Sequence, residues 1–394
     1  MRLVALFLVC AAMQWAQDPI HDKDVPYAEM DGVTLGMDLV RPSTPGPHPA
    51  VVLIHGGGFS GGTRQGFLGT ARKLAAAGYV AASASYRLTP VYQFPAPVYD
   101  AKAAVRFLRA NAGKYSIDPD RIGAIGVSAG GTIALFLGVT RGVPEFEGDG
   151  PNQEYSSAVA CVVNLYGRSD MTTAYGGSRN AASALPPLTG GELPWARTGH
   201  LRASPIQWVT PSSAPVESIH GTFDLNVPHQ QSVDLHARLR AAGVEEHLET
   251  IDRAGHGFKG DDQEQADRAM LAFFDKHLKP APDRLSLYIR AGNEQITLGW
   301  PSGRILDRRP AAGRAPQSML LFDAKGPLRI GALSAVLDIP GGNRLVADKT
   351  GRRIVEIDPQ GLPVHELREL PFQPESLARA LNPPASAPSR GALH

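Results

Sequence analysis

The stretch from Arg121 to Gly138 constrains this chain more than any other. Its first half, Ile122 to Val127, is an uncharged apolar run, the pattern of a strand buried on both faces of a parallel sheet. Its second half, from Ala129, is rich in Ala, Leu and Gly and reads as a packed helix. Between them stands Gly126-Val127-Ser128-Ala129-Gly130, a G-x-S-x-G on a strand-to-helix turn. Such a turn lifts the serine hydroxyl clear of the sheet and leaves room only for glycine at its flanks. The five residues alone fit a Gly-rich turn with a solvated serine equally well. Residues elsewhere decide between the two.

The chain before the elbow supplies a sheet for it. Two alternating runs between Tyr27 and Val40, joined by Asp31-Gly32, predict an antiparallel hairpin. Ala50 to Ile54 is an unbroken buried strand that ends at His55-Gly56-Gly57-Gly58-Phe59. Thr63 to Ala77 predicts a helix, Tyr79 to Ala84 a strand, and Pro97 to Ala112 a second helix with Val98, Ala101, Val105 and Leu108 on one face. Asp118-Pro119-Asp120 predicts a turn into the elbow strand. Strand and helix alternate, so the expected fold is α/β with a doubly wound, mostly parallel sheet.

Beyond the elbow, Ala158 to Leu165 reads as a strand carrying Cys161, and Pro215 to Gly221 as another, with Glu217 and Ser218 out of place in a buried run. Residues 167–204 show little periodicity and much Gly, Ala, Pro and Ser; a loop segment of this length in a compact domain is more often a functional cover than a linker. The predicted lid occupies about 141–212, with Tyr166, Trp195 and Trp208 as candidate walls or, equally, core aromatics. Helix 229–242, strand Glu246 to Ile251 and helix 262–278 complete the catalytic domain, 18–280.

A serine hydroxyl attacks only when an imidazole can take its proton, and that imidazole needs a carboxylate to fix its tautomer and stabilise its cation. Predicted strand ends offer Ser128, then Asp224 in Thr222-Phe223-Asp224-Leu225-Asn226, then His256 in Ala254-Gly255-His256-Gly257-Phe258. Asp170 and Asp252 compete as the acid. His55 and His220, each just before a glycine, compete as the base, although holding a loop by hydrogen bonds suits them better. His21, His48, His200 and His394 lack strand-end context. The consecutive glycines after the Ala50–Ile54 strand offer backbone N–H groups to an oxyanion without side chains in the way. No H-E-x-x-H or similar ligand spacing occurs, so neither metal nor cofactor is implied.

His55-Gly56-Gly57-Gly58, Tyr86-Arg87-Leu88, Asp118-Pro119-Asp120-Arg121-Ile122, Gly126 to Gly131, His220 to Pro228 and Gly255-His256-Gly257-Phe258 together resemble the α/β-hydrolase superfamily. Within it, residues 50–278 are similar to hormone-sensitive-lipase-like carboxylesterases, especially the bacterial feruloyl and acetylxylan esterase group. The resemblance implies Ser128 as nucleophile, Asp224 and His256 as its partners, and the amides of Gly57, Gly58 and Ala129 as the oxyanion hole. It also implies a serine carboxylesterase acting on short-chain or polysaccharide-linked esters. A prolyl-oligopeptidase-like peptidase shares the triad order, but its propeller precedes the hydrolase domain. An inactive hydrolase-fold binding protein is disfavoured by the intact elbow, acid and histidine.

Residues 1–17 have one cation and then an apolar run of about ten, the form of a secretory signal peptide, too short to span a bilayer. The expected location is therefore secreted or periplasmic, with only Cys161 left after cleavage. With 39 Lys and Arg against 38 Asp and Glu, nothing favours nucleic acid or an anionic membrane surface as partner, and a small-molecule or polysaccharide ester is the simpler expectation. Past the Pro-rich linker Lys279-Pro280-Ala281-Pro282, residues 285–381 carry two units of short strands and Gly-ended turns about 35–40 residues apart, similar to propeller blades but too few to close a ring. Residues 382–394 are Pro/Ser-rich and expected to be disordered.

Overall fold

The computed structural model describes residues 18–279 and, beyond them, the strands lying between Leu285 and Leu381. The signal-peptide and disordered-tail expectations, 1–17 and 382–394, lie outside the described residues. The chain divides into two compact units at Lys279 and Pro280.

The first unit is built on an eight-stranded sheet of order β1-β2-β4-β3-β5-β6-β7-β8: β1 Ile20–Met30, β2 Val33–Arg41, β3 His48–Ile54, β4 Val80–Ala84, β5 Ile117–Val127, β6 Val162–Leu165, β7 Val216–Gly221 and β8 Glu246–Ile251. β1 pairs antiparallel with β2, as the Asp31-Gly32 turn predicts, and β2 pairs antiparallel with β4. The strands from β3 to β8 are parallel. After β3 the chain steps outward to β4 and then returns to place β5 on the other side of β3. The crevice between the carboxyl ends of β3 and β5 is therefore the point where ligands bind in open α/β sheets.

Helices cover both faces. Leu68–Ala76 and Asp261–Leu278 bury Ala71, Leu74, Met270, Phe274 and Leu278 against one face. Ala96–Ala110, Ala129–Val139 and Gln230–Ala241 bury Ala101, Val105, Leu108, Ile133, Leu235 and Leu239 against the other. Ala129–Val139 is buried at every position, which suits a helix that is apolar all round. No helix among the described residues is long and apolar enough to cross a membrane.

Three local expectations change. Asp118-Pro119-Asp120 lies within β5 rather than in a turn before it; the register jumps from His48–Ile117 to Ala50–Ile122, so this segment is bulged out of the ladder, where a proline without an N–H is tolerated. The range 141–212 is not one insertion. It contains β6, a central strand hydrogen-bonded between β5 and β7, because the uncharged Val162-Val163 run can pay back burial on both faces only inside the sheet. The irregular chain is thus two segments, one before β6 and one between β6 and β7, the latter with short helices at Ala181–Ala184, Pro186–Thr189 and Arg197–Arg202. Helix Ala96–Ala110 buries Asp100, Lys102 and Arg106 as well as its apolar face. Asp100 is held by Arg87, while Lys102 Nζ (2.7 Å) and Arg106 Nη1 (3.1 Å) both reach Glu147 of the segment before β6.

The second unit has two four-stranded antiparallel sheets. One is Leu333–Asp338, Arg344–Asp348, Arg353–Ile357 and Pro363–Leu367 in chain order. In the other, Ile305–Pro310, Glu294–Trp300 and Leu285–Ala291 are joined at the Leu285–Ala291 edge by the last strand, Ser376–Leu381.

Candidate active site

The elbow follows from close backbone packing. Ser128 sits at φ 56°, ψ −118°, a conformation that non-glycine residues avoid, between β5 and the helix that starts at Ala129. Two contacts enforce it. A Cβ on Gly126 would lie 2.0 Å from the Gly130 carbonyl oxygen, and one on Gly130 would lie 2.1 Å from the carbonyl oxygen of Ile54 on β3. The amide of Ser128 donates to Leu165 O at 2.8 Å, which ties the turn to β6.

His256 and Asp224 complete the line. Ser128 Oγ lies 2.9 Å from His256 Nε2, and His256 Nδ1 lies 2.7 Å from Asp224 Oδ2. Because the carboxylate can only accept, Nδ1 carries the proton and Nε2 is left as an acceptor for the serine hydroxyl. Asp224 Oδ1 takes the amides of Asn226 (2.8 Å) and Val227 (2.9 Å). Burial alone would raise the Asp224 carboxyl, but hydrogen bonds from His220, His256 and the Val227 amide outweigh it and hold the group well below the usual carboxylate range. The edge of Tyr166 packs against His256, ring centroids 4.7 Å apart, and Phe258 packs on Tyr166 at 5.2 Å.

The glycine loop after β3 faces the same crevice. Gly57 has φ 128°, and a Cβ there would fall 2.1 Å from Gly61 O, so the loop folds back on itself only with glycine at this position. Among the described residues, the amides of Gly57 and Gly58 donate to no backbone or side-chain acceptor. Ala129 is the first residue of its helix, where backbone N–H groups have no partner within the helix. A Cβ on the neighbouring Gly56 would lie 3.3 Å from Ser128 Cβ, so the glycine loop runs alongside the elbow.

The competing residues have other partners. Asp170 closes a turn on Thr172, and Asp252 is exposed and meets Thr222 and Arg253. His55 bonds the Gly56 carbonyl oxygen through Nδ1 at 2.8 Å and stacks on Tyr86 at 4.3 Å, so it stiffens the glycine loop; burial holds its pKa below the ordinary value. His220 bonds Ser232 and Val227 O beneath the acid loop. His200 is buried between Tyr175, Thr189 and Ala196 O. Of the three aromatics, Tyr166 is beside His256, Trp195 is 88% exposed, and Trp208, half-buried, packs edge-on against the buried Phe146.

Sequence reasoning missed Arg168. It is buried just after β6, and its Nη2 reaches Ser178 Oγ (3.3 Å), Asn180 Oδ1 and Asn226 O (2.9 Å), linking the segment after β6 to the acid loop. Ser178 Oγ also donates to Asn226 O at 2.6 Å, and Arg179 N donates to Leu225 O at 2.8 Å. Burial lowers the Arg168 guanidinium to about 10, against the opposing charge of Asp224. Only its position after a strand end could have drawn notice, because its partners lie in irregular chain 10, 12 and 58 residues downstream.

Comparison with known proteins gives a consistent picture. The BD-FAE family matches residues 37–239, just over half of the chain, a span that holds Ser128 and Asp224 but stops before His256. Esterase LipC of Mycobacterium tuberculosis is 31% identical over 258 residues, 64% of this chain and 62% of that protein. The chain therefore spans about three fifths of the length of this curated relative. A truncated carbohydrate esterase from gut microbiota superposes with a TM-score of 0.61 at 27% identity, covering 67% of this chain and 99% of that one. An esterase from Thermogutta terrifontis, Est2, gives 0.55 at 25% identity, covering 68% and 95%. The chain belongs to the BD-FAE family, within the α/β-hydrolase superfamily.

Proposed function

We propose that this protein is a serine carboxylesterase that works through an acyl-enzyme on Ser128. The observation that carries the reading is the unbroken relay from Ser128 Oγ to His256 Nε2 (2.9 Å) and from His256 Nδ1 to Asp224 Oδ2 (2.7 Å) at the carboxyl ends of the strands. As Ser128 Oγ attacks the ester carbonyl, His256 takes its proton and Asp224 stabilises the imidazolium. The amides of Gly57, Gly58 and Ala129 receive the oxyanion. Collapse of the tetrahedral intermediate expels the alcohol, which takes the proton from His256, and a water activated by the same imidazole then releases the acid.

The alcohol leaves on the His256 side. Phe223 and Leu225, on either side of the buried Asp224 in sequence, are exposed and give the acid loop apolar surface of the kind that a sugar ring or an aryl group meets. The likeness to a carbohydrate esterase supports short-chain or polysaccharide-linked esters, acetyl or feruloyl, as the substrates. Residues 1–17 support work outside the cytoplasm. The second unit reads as blade-like sheets that hold polymeric substrate, supported by its two four-stranded antiparallel sheets.

A fluorophosphonate probe tests the reading. It should label Ser128, and Ser128→Ala should abolish labelling and lower p-nitrophenyl acetate turnover by several orders of magnitude. Labelling at another serine overturns the assignment. Acetylated xylan, feruloyl esters and aminoacyl anilides, run beside it, separate esterase from peptidase.

A further inference from the structure

We infer that His220 is a positioning residue, fixing the Asp224 carboxylate in the orientation that His256 needs; the inference rests on the reading of Ser128, His256 and Asp224 given above. His220 lies near the end of β7, four residues before Asp224, and is wholly buried. Its Nε2 is 2.9 Å from Val227 O. A carbonyl only accepts, so Nε2 carries the proton, and in the neutral ring Nδ1 accepts from the Ser232 hydroxyl at 2.7 Å. The ring is thereby locked at both nitrogens. The same Nε2 lies 3.3 Å from Asp224 Oδ2, the oxygen that also meets His256 Nδ1 at 2.7 Å.

Three donors bind the carboxylate, and a fourth N–H, that of His220 Nε2, lies against it while its hydrogen bond goes to Val227 O. Oδ1 takes the amides of Asn226 and Val227, and Oδ2 faces the two imidazoles. A carboxylate gripped on both oxygens cannot swing about its Cβ–Cγ bond, and its strongest remaining direction points at His256. Without His220, Oδ2 keeps a single partner and the Val227 carbonyl, which closes the turn, loses its donor. His55 shows by contrast what a purely loop-holding histidine looks like: it also precedes a glycine at a strand end, but it bonds its neighbour's carbonyl and a tyrosine stacks on it.

The test is a set of substitutions in the full-length protein, read with p-nitrophenyl acetate. His220→Leu removes the donor, His220→Gln keeps an N–H near the ε position, and His220→Asn moves it to the δ position. His220→Leu should lower kcat by roughly tenfold to a hundredfold, the range for losing a hydrogen bond to a charged group, with KM little changed. His220→Gln should recover most of that loss and His220→Asn little of it. In an Asp224→Asn background the Leu change should lower kcat less than about twofold further, because a residue that acts through Asp224 has nothing left to act on. Wild-type kcat in His220→Leu overturns the proposal. So does a full multiplicative loss in the Asp224→Asn background, which is what general packing damage gives. If His220→Leu does not fold, the ranking of Gln over Asn decides, and equal or reversed activities overturn it. Failure of Ser128→Ala to abolish turnover is a separate result that sinks the catalytic reading itself.

Discussion

The elbow after β5 and the acid loop after β7 hold their reacting groups by opposite means. The elbow is fixed by backbone against backbone: Gly126 and Gly130 have no space for a Cβ, and Ser128 is strained into place by its neighbours. The acid loop is fixed by side chains reaching across the sequence: His220 and Ser232 from β7 and the helix beyond it, and Arg168 and Ser178 from the segment after β6. Close packing tolerates no substitution and is written locally. Polar support is graded, and it is written wherever the chain happens to return.

That contrast sets the largest expected effect. Gly130→Ala would put a methyl 2.1 Å from Ile54 O and 2.5 Å from His55 O, two backbone atoms that cannot move without parting β3 from β5. Expression should yield little folded protein, and any soluble fraction should be inactive and unlabelled by a fluorophosphonate. A well-folded, active Gly130→Ala, judged by circular dichroism and turnover, breaks the claim that the elbow is held by exclusion of side chains.

Arg168→Met should have a smaller, graded effect. Asn226 O loses one of its two donors but keeps Ser178 Oγ at 2.6 Å, so the loop should loosen rather than collapse. We expect kcat/KM to fall about tenfold, as for one charge-assisted hydrogen bond, with the fold retained. Unchanged kinetics would show that Arg168 contributes nothing to the placement of Asp224.

The same contrast explains what could be read in advance. The G-x-S-x-G, the glycine run after β3 and the alternation of strands and helices are local patterns, so Ser128, Gly57 and Gly58 and the sheet were legible from neighbours in sequence. Asp224 and His256 needed only chain order and strand ends. Arg168, by contrast, gives no periodic signal, and the burial of Lys102 and Arg106 depends on Glu147 from a loop about forty residues away. The strand expected over Ala158 to Leu165 is present as Val162–Leu165, but the bounds given to the lid, 141–212, run across it because the strand is only four residues long and irregular chain lies on both sides of it. Trp208 could serve a wall or a core equally well until Phe146 was seen against it.

β7 carries the finest form of the comparison, because its two faces do different work. Ser218 and His220 point to the side of the elbow helix and the acid loop, Ser218 accepting from Asn164 Nδ2 at 3.0 Å. Glu217 points to the opposite face, 3% exposed, with His247 Nδ1 3.3 Å away as its partner. Burial pushes the Glu217 carboxyl up to about 7, while the hydrogen bond and charge of His247 pull it down. A folded-state value above the unfolded one means that stability is fully present below the ordinary value of 4.5 and is lost as pH rises through about 7. Glu217→Gln keeps an acceptor for His247 but cannot ionise. It should therefore match wild type in denaturant unfolding near pH 4.5 and exceed it by roughly 2 kcal/mol at pH 8, the order expected for a shift of this size. Turnover should not change, since no contact of Glu217 reaches the strand ends where Ser128, Asp224 and His256 meet. A variant that is less stable at pH 8, or one that alters kcat, would show that the two faces of β7 are coupled, and the split between a catalytic edge and a structural underside would have to be given up.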